Sequence, residues 1–320
     1  MAQNDIAPFW LSSRDKAAIG ARLSSLGWLC PGETIDSIER AGDGNLNLVL
    51  RVTAAGRSVI LKQARPWVEK YPDIPAPVER SAVEAGFYRL VEQNAALRSY
   101  MPALVAADSG WHLLLLEDLG TQGDATDLYR GATLSAEERA HLIRFLVALH
   151  AIADVDARAQ MPGNGAMIAL NHHYIFHQSF SSDSADAGLA LVAAALGERY
   201  LAGHGVMLHG DFYPGAWVRT PAGLRIIDPE FCLFGPREFD LGIMAAHLMI
   251  AGGGGAATAA TDIGAHYEAA GGGVVDAALI ARFAGVEIWR RLLGVAQLPL
   301  AIADAEREQM INLARWLIHQ

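Results

Sequence analysis

Asp211 sits in the turn His209-Gly210-Asp211, and further along Asp228 and Glu230 flank a proline in Asp228-Pro229-Glu230-Phe231. The apolar run Leu224 to Ile227, broken only by Arg225, predicts a buried strand directly before the second acidic site. Thr220-Pro-Ala-Gly223 predicts the turn that joins this strand to Val218. A hairpin of that kind returns the ends of both acidic segments to one edge. One carboxylate can then take a proton from a hydroxyl while the other two hold a metal ion, the equipment that phosphoryl transfer asks of a protein.

Other residues must position such a site. The chain has 320 residues, 52% of them hydrophobic and 19% charged. That is long enough for about two domains and apolar enough for a substantial core. A net charge of −10 argues against a nucleic-acid binder, which would carry a basic stripe. An acidic enzyme that handles a polyanion has to concentrate its few cations locally or recruit a metal. The two distant cysteines, Cys30 and Cys232, make neither a zinc pattern nor a disulfide framework. The start, Met-Ala-Gln-Asn-Asp, lacks the basic and apolar regions of a signal peptide. Leu241 to Ala260 is the most apolar stretch and long enough to span a bilayer, yet glycines 252 to 255 break it. It is read as a buried helix running into a partly mobile Ala- and Gly-rich segment, residues 251 to 273. The expectation is a soluble, cytoplasmic protein with no nucleic-acid or membrane partner.

In chain order, Ser13 to Leu26 predicts a first helix capped by Ser12 or Ser13. Strands follow at Ile35–Arg40, Leu48–Val52 and Val59–Gln63, with the turn Gly42-Asp43-Gly44-Asn45 after the first. Glycine turns let backbone N–H groups approach an anion; taken alone, this one is equally an ordinary hairpin. Lys62 ends the third strand, and a helix over Pro77–Gln93 carries Glu79 and Glu84. Either could pair with Lys62, and Glu84 is preferred. Two more strands, Leu104–Ala107 and Trp111–Leu116, lead into Glu117-Asp118-Leu119-Gly120, a hinge whose backbone could hydrogen-bond an adenine ring. From here the pattern is helical. Ser135-Ala-Glu-Glu138 is a capping box, residues 154 to 170 read as a loop, and Leu189–Leu201 as a helix. His173 and His177 fall at i and i+4, with no third metal ligand evident nearby. Helices are also predicted over Glu238–Met249, Thr258–Ala270, Asp276–Leu293 and Ala301–Ile318. Met310, Ile311, Ala314, Leu317 and Ile318 mark the core face of the last. The fold class is α+β: a strand-rich N-terminal lobe, residues 1–119, and a mostly helical C-terminal lobe, residues 120–320, that contains the acidic hairpin.

On these segments the chain resembles the protein-kinase-like small-molecule kinases, the group of aminoglycoside phosphotransferases and choline kinase, and within it the methylthioribose kinases. The likeness is carried by Gly42 to Asn47 with Arg51-Val52, by Lys62-Gln-Ala64, and by Asp228-Pro-Glu-Phe231 with Gly235-Pro236 and Phe239-Asp240. Arg290-Arg291-Leu-Leu-Gly-Val-Ala296 completes it. The resemblance implies a bilobal kinase-like fold and transfer of a phosphoryl group from ATP to a hydroxyl of a small sugar-like molecule. It implies that Asp211 accepts or positions the hydroxyl proton and that Asp228 and Glu230 hold Mg2+, a hard cation suited to carboxylate and phosphate oxygens. Lys62, steadied by Glu84, would pair with the nucleotide phosphates under the Gly42–Asn45 turn, and Glu117 to Leu119 would form the adenine hinge. Arg290 and Arg291 would neutralise charge at the transferred group or grip the acceptor. Adjacent helical residues point about 100° apart, so only one of the two is expected to face the site. The resemblance also points to a homodimer. Two positions depart from it: Ala216 stands where the group usually has asparagine, and Tyr213 where methylthioribose kinases have histidine. A kinase for another small alcohol (aminoglycoside, choline or homoserine) and a nucleotide-binding pseudokinase are the alternatives.

Overall fold

The structure is a computed structural model that describes residues 10–42, 44, 46–152, 154–181, 185–252 and 258–320, with side chains omitted at 154–156. Asp43 and Asn45 lie outside the described residues, as do residues 253–257 of the Ala- and Gly-rich segment expected to be mobile. The chain divides into two compact units, Met1–Thr121 and Gln122–Gln320.

The first unit runs α1 (Lys16–Ser25), β1 (Ser37–Arg40), β2 (Leu48–Ala54), β3 (Arg57–Gln63), β4 (Trp67–Val68), β5 (Tyr71–Pro75), α2 (Arg80–Gln93), β6 (Leu104–Asp108) and β7 (Leu113–Glu117). Five strands form one antiparallel sheet in the order β1-β2-β3-β7-β6. The alternation in β2 shows why. Leu48, Leu50, Val52 and Ala54 point inward while the residues between them are half exposed, the period-2 pattern of a sheet with one wet face. They pack with Val59, Leu61, Leu113 and Leu115 and with Ile19 and Leu23 of α1. The two-residue turn between β2 and β3 is Ala55-Gly56, both at positive φ, which matches the twist of the flanking strands. α1 starts later than the serines suggested. Asp15 holds the cap position, and its carboxylate turns back to accept the Ser12 N–H at 2.8 Å, closing a turn ahead of the helix. α2 likewise begins at Arg80 rather than Pro77, because Pro75 and Pro77 hold the residues before them extended.

The second unit contains α3 (Ala136–His150), α4 (Asp154–Gln160), α5 (Gly165–His172), a π-helical turn (His173–His177), α6 (Ala187–Leu201), β8 (Val206–Leu208), β9 (Trp217–Thr220), β10 (Gly223–Ile226), β11 (Leu233–Gly235), α7 (Glu238–Ala251), α8 (Ala259–Ala269), α9 (Ala277–Leu293) and α10 (Asp304–Ile318). The capping box on α3 is complete, with reciprocal bonds between Ser135 and Glu138. Residues 154–170, read as a loop, instead hold the short helices α4 and α5; α5 buries only Met167 and Asn171, too few to show a period. The extra residue per turn at His173–His177 takes these histidines out of α-helical register. Gly242 lets α7 and α9 touch: a Cβ there would lie 2.6 Å from the Phe283 Cβ. On α10, Met310, Ala314, Leu317 and Ile318 are buried, while Ile311 is half-buried. Among the described residues no helix is long and apolar enough to cross a membrane.

Candidate active site

In the second unit two strand pairs bring the acidic segments together. β9 and β10 form the predicted hairpin, with Thr220 opposite Gly223. The pairing of β8 with β11, Leu208 opposite Leu233, escaped the sequence reading because three-residue strands carry no measurable period. It lays the turn after β8 against the turn before β11. Gly210, at φ 86°, sits so close to Phe231 that a Cβ would fall 2.2 Å from its carbonyl oxygen. The His209 Nε2–H donates to the Ile227 carbonyl at 2.9 Å, and the Asp211 N–H reaches His209 Nδ1 at 3.4 Å.

The backbone of this turn is accounted for almost group by group. Asp240, in the first turn of α7 and completely buried, accepts the N–H groups of His209 at 2.7 Å and Gly210 at 3.0 Å. The Asn171 amide donates to the Gly210 carbonyl at 3.4 Å and to the Tyr200 hydroxyl at 3.2 Å. The Asp211 carbonyl accepts the Tyr213 N–H at 3.1 Å, and the Tyr213 carbonyl accepts that of Ala216 at 2.8 Å. Ala216 is buried, and its methyl offers a metal nothing.

Asp228 occupies the left-handed region at φ 62°, and Glu230 is buried in the single 3-10 turn that follows. A non-glycine residue held there costs roughly 1–2 kcal/mol, a strain that gathers at functional turns. Asn164, at the start of α5, braces the turn by donating to the carbonyls of Glu230 at 3.0 Å and Cys232 at 2.9 Å. Both Asp211 and Asp228 lie near enough to act on the Tyr213 phenol, which burial first and then these two carboxylates push well above its ordinary value. Among the described residues, no three or more His, Cys, Asp or Glu side chains gather to hold a metal. Mg2+ takes one or two carboxylates and completes its shell with water and substrate phosphate. Asp228 and Glu230 are the residues that would hold such an ion, since carboxylate oxygens are the donors it prefers.

Both arginines of α9 reach this turn. Arg290 and Arg291 each donate to Oδ1 of Asp211, at 3.2 and 3.3 Å. The expectation that only one would face the site is therefore corrected: the long side chains converge although their Cα–Cβ bonds diverge. Nor is this a solvated face, since the side chains are only 11% and 5% exposed. Arg291 also lies over the Tyr213 ring, 4.7 Å from its centroid.

The nucleotide-type residues fall in the first unit. Lys62 and Glu84 form a buried ion pair at 2.8 Å, with Glu79 exposed at the end of the preceding turn. Gly42 has φ 78° and is exposed, as is Gly44, and a Cβ on either would meet nothing within 4 Å. The Glu117 N–H donates to the Ala103 carbonyl at 2.9 Å, and its carboxylate accepts the Ala103 N–H at 3.0 Å. A purine contact through the Glu117 N–H would have to displace that bond. Leu119 is half-buried beside Asp118, which binds Arg51 at 2.7 and 2.9 Å.

The buried histidines carry a pH consequence. Burial pushes His209 and His247 below the ordinary imidazole value, as it does His112, His141 and His172. Each binds a proton more weakly folded than unfolded, so stability falls as pH drops below the unfolded value of about 6.5. The melting temperature is expected to decline between about pH 7 and pH 5. A melting temperature flat across that interval would contradict the burial of these rings.

Sequence reasoning passed over Asn164 and Asn171, which lie in or beside the supposed loop, and gave Asp240 no role. Glu287 was also missed, although its spacing of three and four from the arginines is the ordinary signature of a helical ion pair.

Comparison with known proteins shows the family and the fold. Residues 37–277 match the model of the phosphotransferase enzyme family. Over 238 residues the chain is 25% identical to the methylthioribose kinase of Bacillus cereus strain G9842, covering 65% of this chain and 59% of that protein. It is 27% identical to the methylthioribose kinase of Exiguobacterium sibiricum over 259 residues, 72% and 64% of the two chains. The matched region thus spans about three fifths of the length of these relatives. Among solved structures, the choline kinase of Streptococcus pneumoniae aligns with a TM-score of 0.55 at 14% identity, over 95% of this chain and 99% of that one. A choline/ethanolamine kinase family protein from Mesorhizobium loti gives 0.54 at 16%, over 95% of each. The fold is the α+β kinase-like fold of those proteins, and the chain belongs to the phosphotransferase enzyme family.

Proposed function

We propose that the protein is a kinase that moves the γ-phosphoryl group of ATP to a hydroxyl of a small sugar-like molecule, methylthioribose or a related ribose. The observation that carries this is the state of Asp211: both arginines bond to Oδ1, and among the described residues nothing bonds to Oδ2. A carboxylate with one oxygen pinned and the other open is suited to take up or orient a hydroxyl proton. Catalysis in this chemistry is positioning plus neutralisation of charge on the moving group. Bound Mg2+, held by Asp228 and Glu230, would offset charge on the phosphate oxygens. Lys62, fixed by Glu84, would pair with the nucleotide phosphates, and Arg290 and Arg291 would add positive charge beside the acceptor.

The relatives named methylthioribose kinase support the sugar reading. A second reading, a kinase for choline or an aminoglycoside, draws on the fold shared with choline kinase. Two arginines bonded to Asp211 make its surroundings a poor place for a cationic acceptor, which weighs toward an uncharged polyol. The test is ADP release and 31P detection of product with magnesium ATP and a panel of methylthioribose, ribose, homoserine, choline and kanamycin. Turnover is expected with the ribose compounds. Faster turnover of choline or kanamycin would establish the second reading. ATP binding without transfer to any acceptor would leave a nucleotide-binding protein and sink both.

A further inference from the structure

We infer that Glu287 is a positioning residue for Asp211, acting through Arg290 and Arg291 and held in turn by His247 and Tyr129; the inference rests on the phosphotransferase reading. Glu287 lies on α9 with its side chain only 2% exposed, at the centre of a chain of hydrogen bonds whose donors converge on it from both sides. Its Oε1 accepts from Arg291 Nε at 2.7 Å and from His247 Nε2 at 2.9 Å. Its Oε2 accepts from Arg290 Nε. An ionised carboxylate only accepts, so His247 carries its proton on Nε2. Burial disfavours the charged imidazole, so Nδ1 is left without a proton and accepts from the Tyr129 hydroxyl at 2.6 Å. The chain runs Tyr129, His247, Glu287, the two arginines and Asp211: Tyr129 and His247 donate toward Glu287, and each arginine donates back to Glu287 through Nε and on to Asp211 through a terminal nitrogen.

Three observations separate this from ordinary helix packing. A buried carboxylate carries a desolvation penalty of several kcal/mol, which an apolar residue at the same place would avoid. Glu287 nevertheless stays ionised: burial raises its affinity for a proton, and the two arginines and His247 overcome that and hold it well below the usual carboxylate range. Next, Glu287 takes the Nε–H of both arginines, which fixes the plane of each guanidinium and aims a terminal nitrogen of each at the same oxygen, Oδ1 of Asp211. Finally, the Tyr213 ring covers the Arg291 guanidinium, removing the remaining freedom of that side chain. The result distinguishes the two oxygens of Asp211. Oδ1 is the anchored atom, and Oδ2 is the atom presented to the acceptor. In the transfer step the acceptor hydroxyl passes its proton to Oδ2 as its oxygen bonds to phosphorus. The bond from phosphorus to the bridging oxygen breaks, ADP leaves with that electron pair, and the proton later passes from Oδ2 to solvent.

The test combines kinetics with a measurement that needs no acceptor. Glu287→Gln keeps the shape but loses the charge and one acceptor. It is expected to lower kcat by about 100-fold, the effect of small misplacement at a reacting group, with the KM for ATP within about threefold of wild type. Tyr129→Phe, which leaves the carboxylate in place and removes only the last hydroxyl of the chain, is expected to lower kcat by about threefold to tenfold. NMR of the arginine Nε–H groups, assigned by their loss in Arg290→Lys and Arg291→Lys, is the second readout. Both protons are expected to exchange slowly in the wild type and at least about 10-fold faster in Glu287→Gln. Unchanged kcat in folded Glu287→Gln overturns the inference, as does exchange equal to wild type. If Glu287→Gln does not fold, unchanged kcat together with unchanged arginine exchange in Tyr129→Phe overturns it. A wild type that transfers phosphate to no acceptor refutes the kinase reading, and the exchange rates still decide whether Glu287 holds the arginines.

Discussion

Asp211→Asn is expected to lower kcat by about 100- to 10,000-fold while the protein stays folded, the range lost when a positioned general base is removed. The substitution is nearly isosteric. The amide oxygen can take the place of Oδ1 and keep both arginine bonds, which the structure sets at 3.2 and 3.3 Å. The amide NH2 then occupies the place of Oδ2. It can donate to the acceptor hydroxyl but cannot accept its proton, and the two arginines face one fewer negative charge. Steady-state kinetics with magnesium ATP checks the rate, and thermal melting checks the fold. A residual rate within about tenfold of wild type would remove Asp211 from the proton path.

Gly210→Ala is expected to destabilise the protein by about 2–5 kcal/mol, the sum of backbone strain and overpacking. At φ 86° any side chain is strained. The added Cβ would also meet the Phe231 carbonyl oxygen at 2.2 Å and its carbon at 2.6 Å. Both obstacles are backbone, so no rotamer change relieves them. The turn bearing Asp211 and the turn bearing Asp228 and Glu230 would have to separate, and activity should fall further than stability alone explains. Denaturant unfolding of the variant measures the first effect. A loss under about 0.5 kcal/mol, the scale of an ordinary surface substitution, would show that the two turns do not abut as described.

The parts of this fold that were legible in the sequence are those with local causes. β2 alternates, Ser135 and Glu138 sit at capping-box spacing, and Thr220 to Gly223 closes a short hairpin. The preference for Glu84 over Glu79 as the partner of Lys62 also agrees with the structure, Glu84 lying one helical turn into α2 where the helix is buried. What stayed hidden depends on distant partners. β8 and β11 are too short to announce themselves, and only their pairing makes the two acidic turns neighbours. The short helix at 165–172 buries too little to be periodic, yet Asn171 within it and Asn164 at its cap brace the two turns. The convergence of Arg290 and Arg291 could not be read from a helical wheel, because Glu287 bends both side chains to one point.

The bond from Asp240 to two consecutive amides ties the reactive loop to the fate of an entire helix. The loop cannot fray by itself: releasing His209 and Gly210 takes two backbone partners from a buried carboxylate and leaves it only His150 among the described residues. Local breathing is thereby suppressed, and adaptation to differently shaped acceptors has to be absorbed by other parts of the chain. Damage anywhere along that helix should register first as a slackened loop, so turnover would report its folding before any melting curve does.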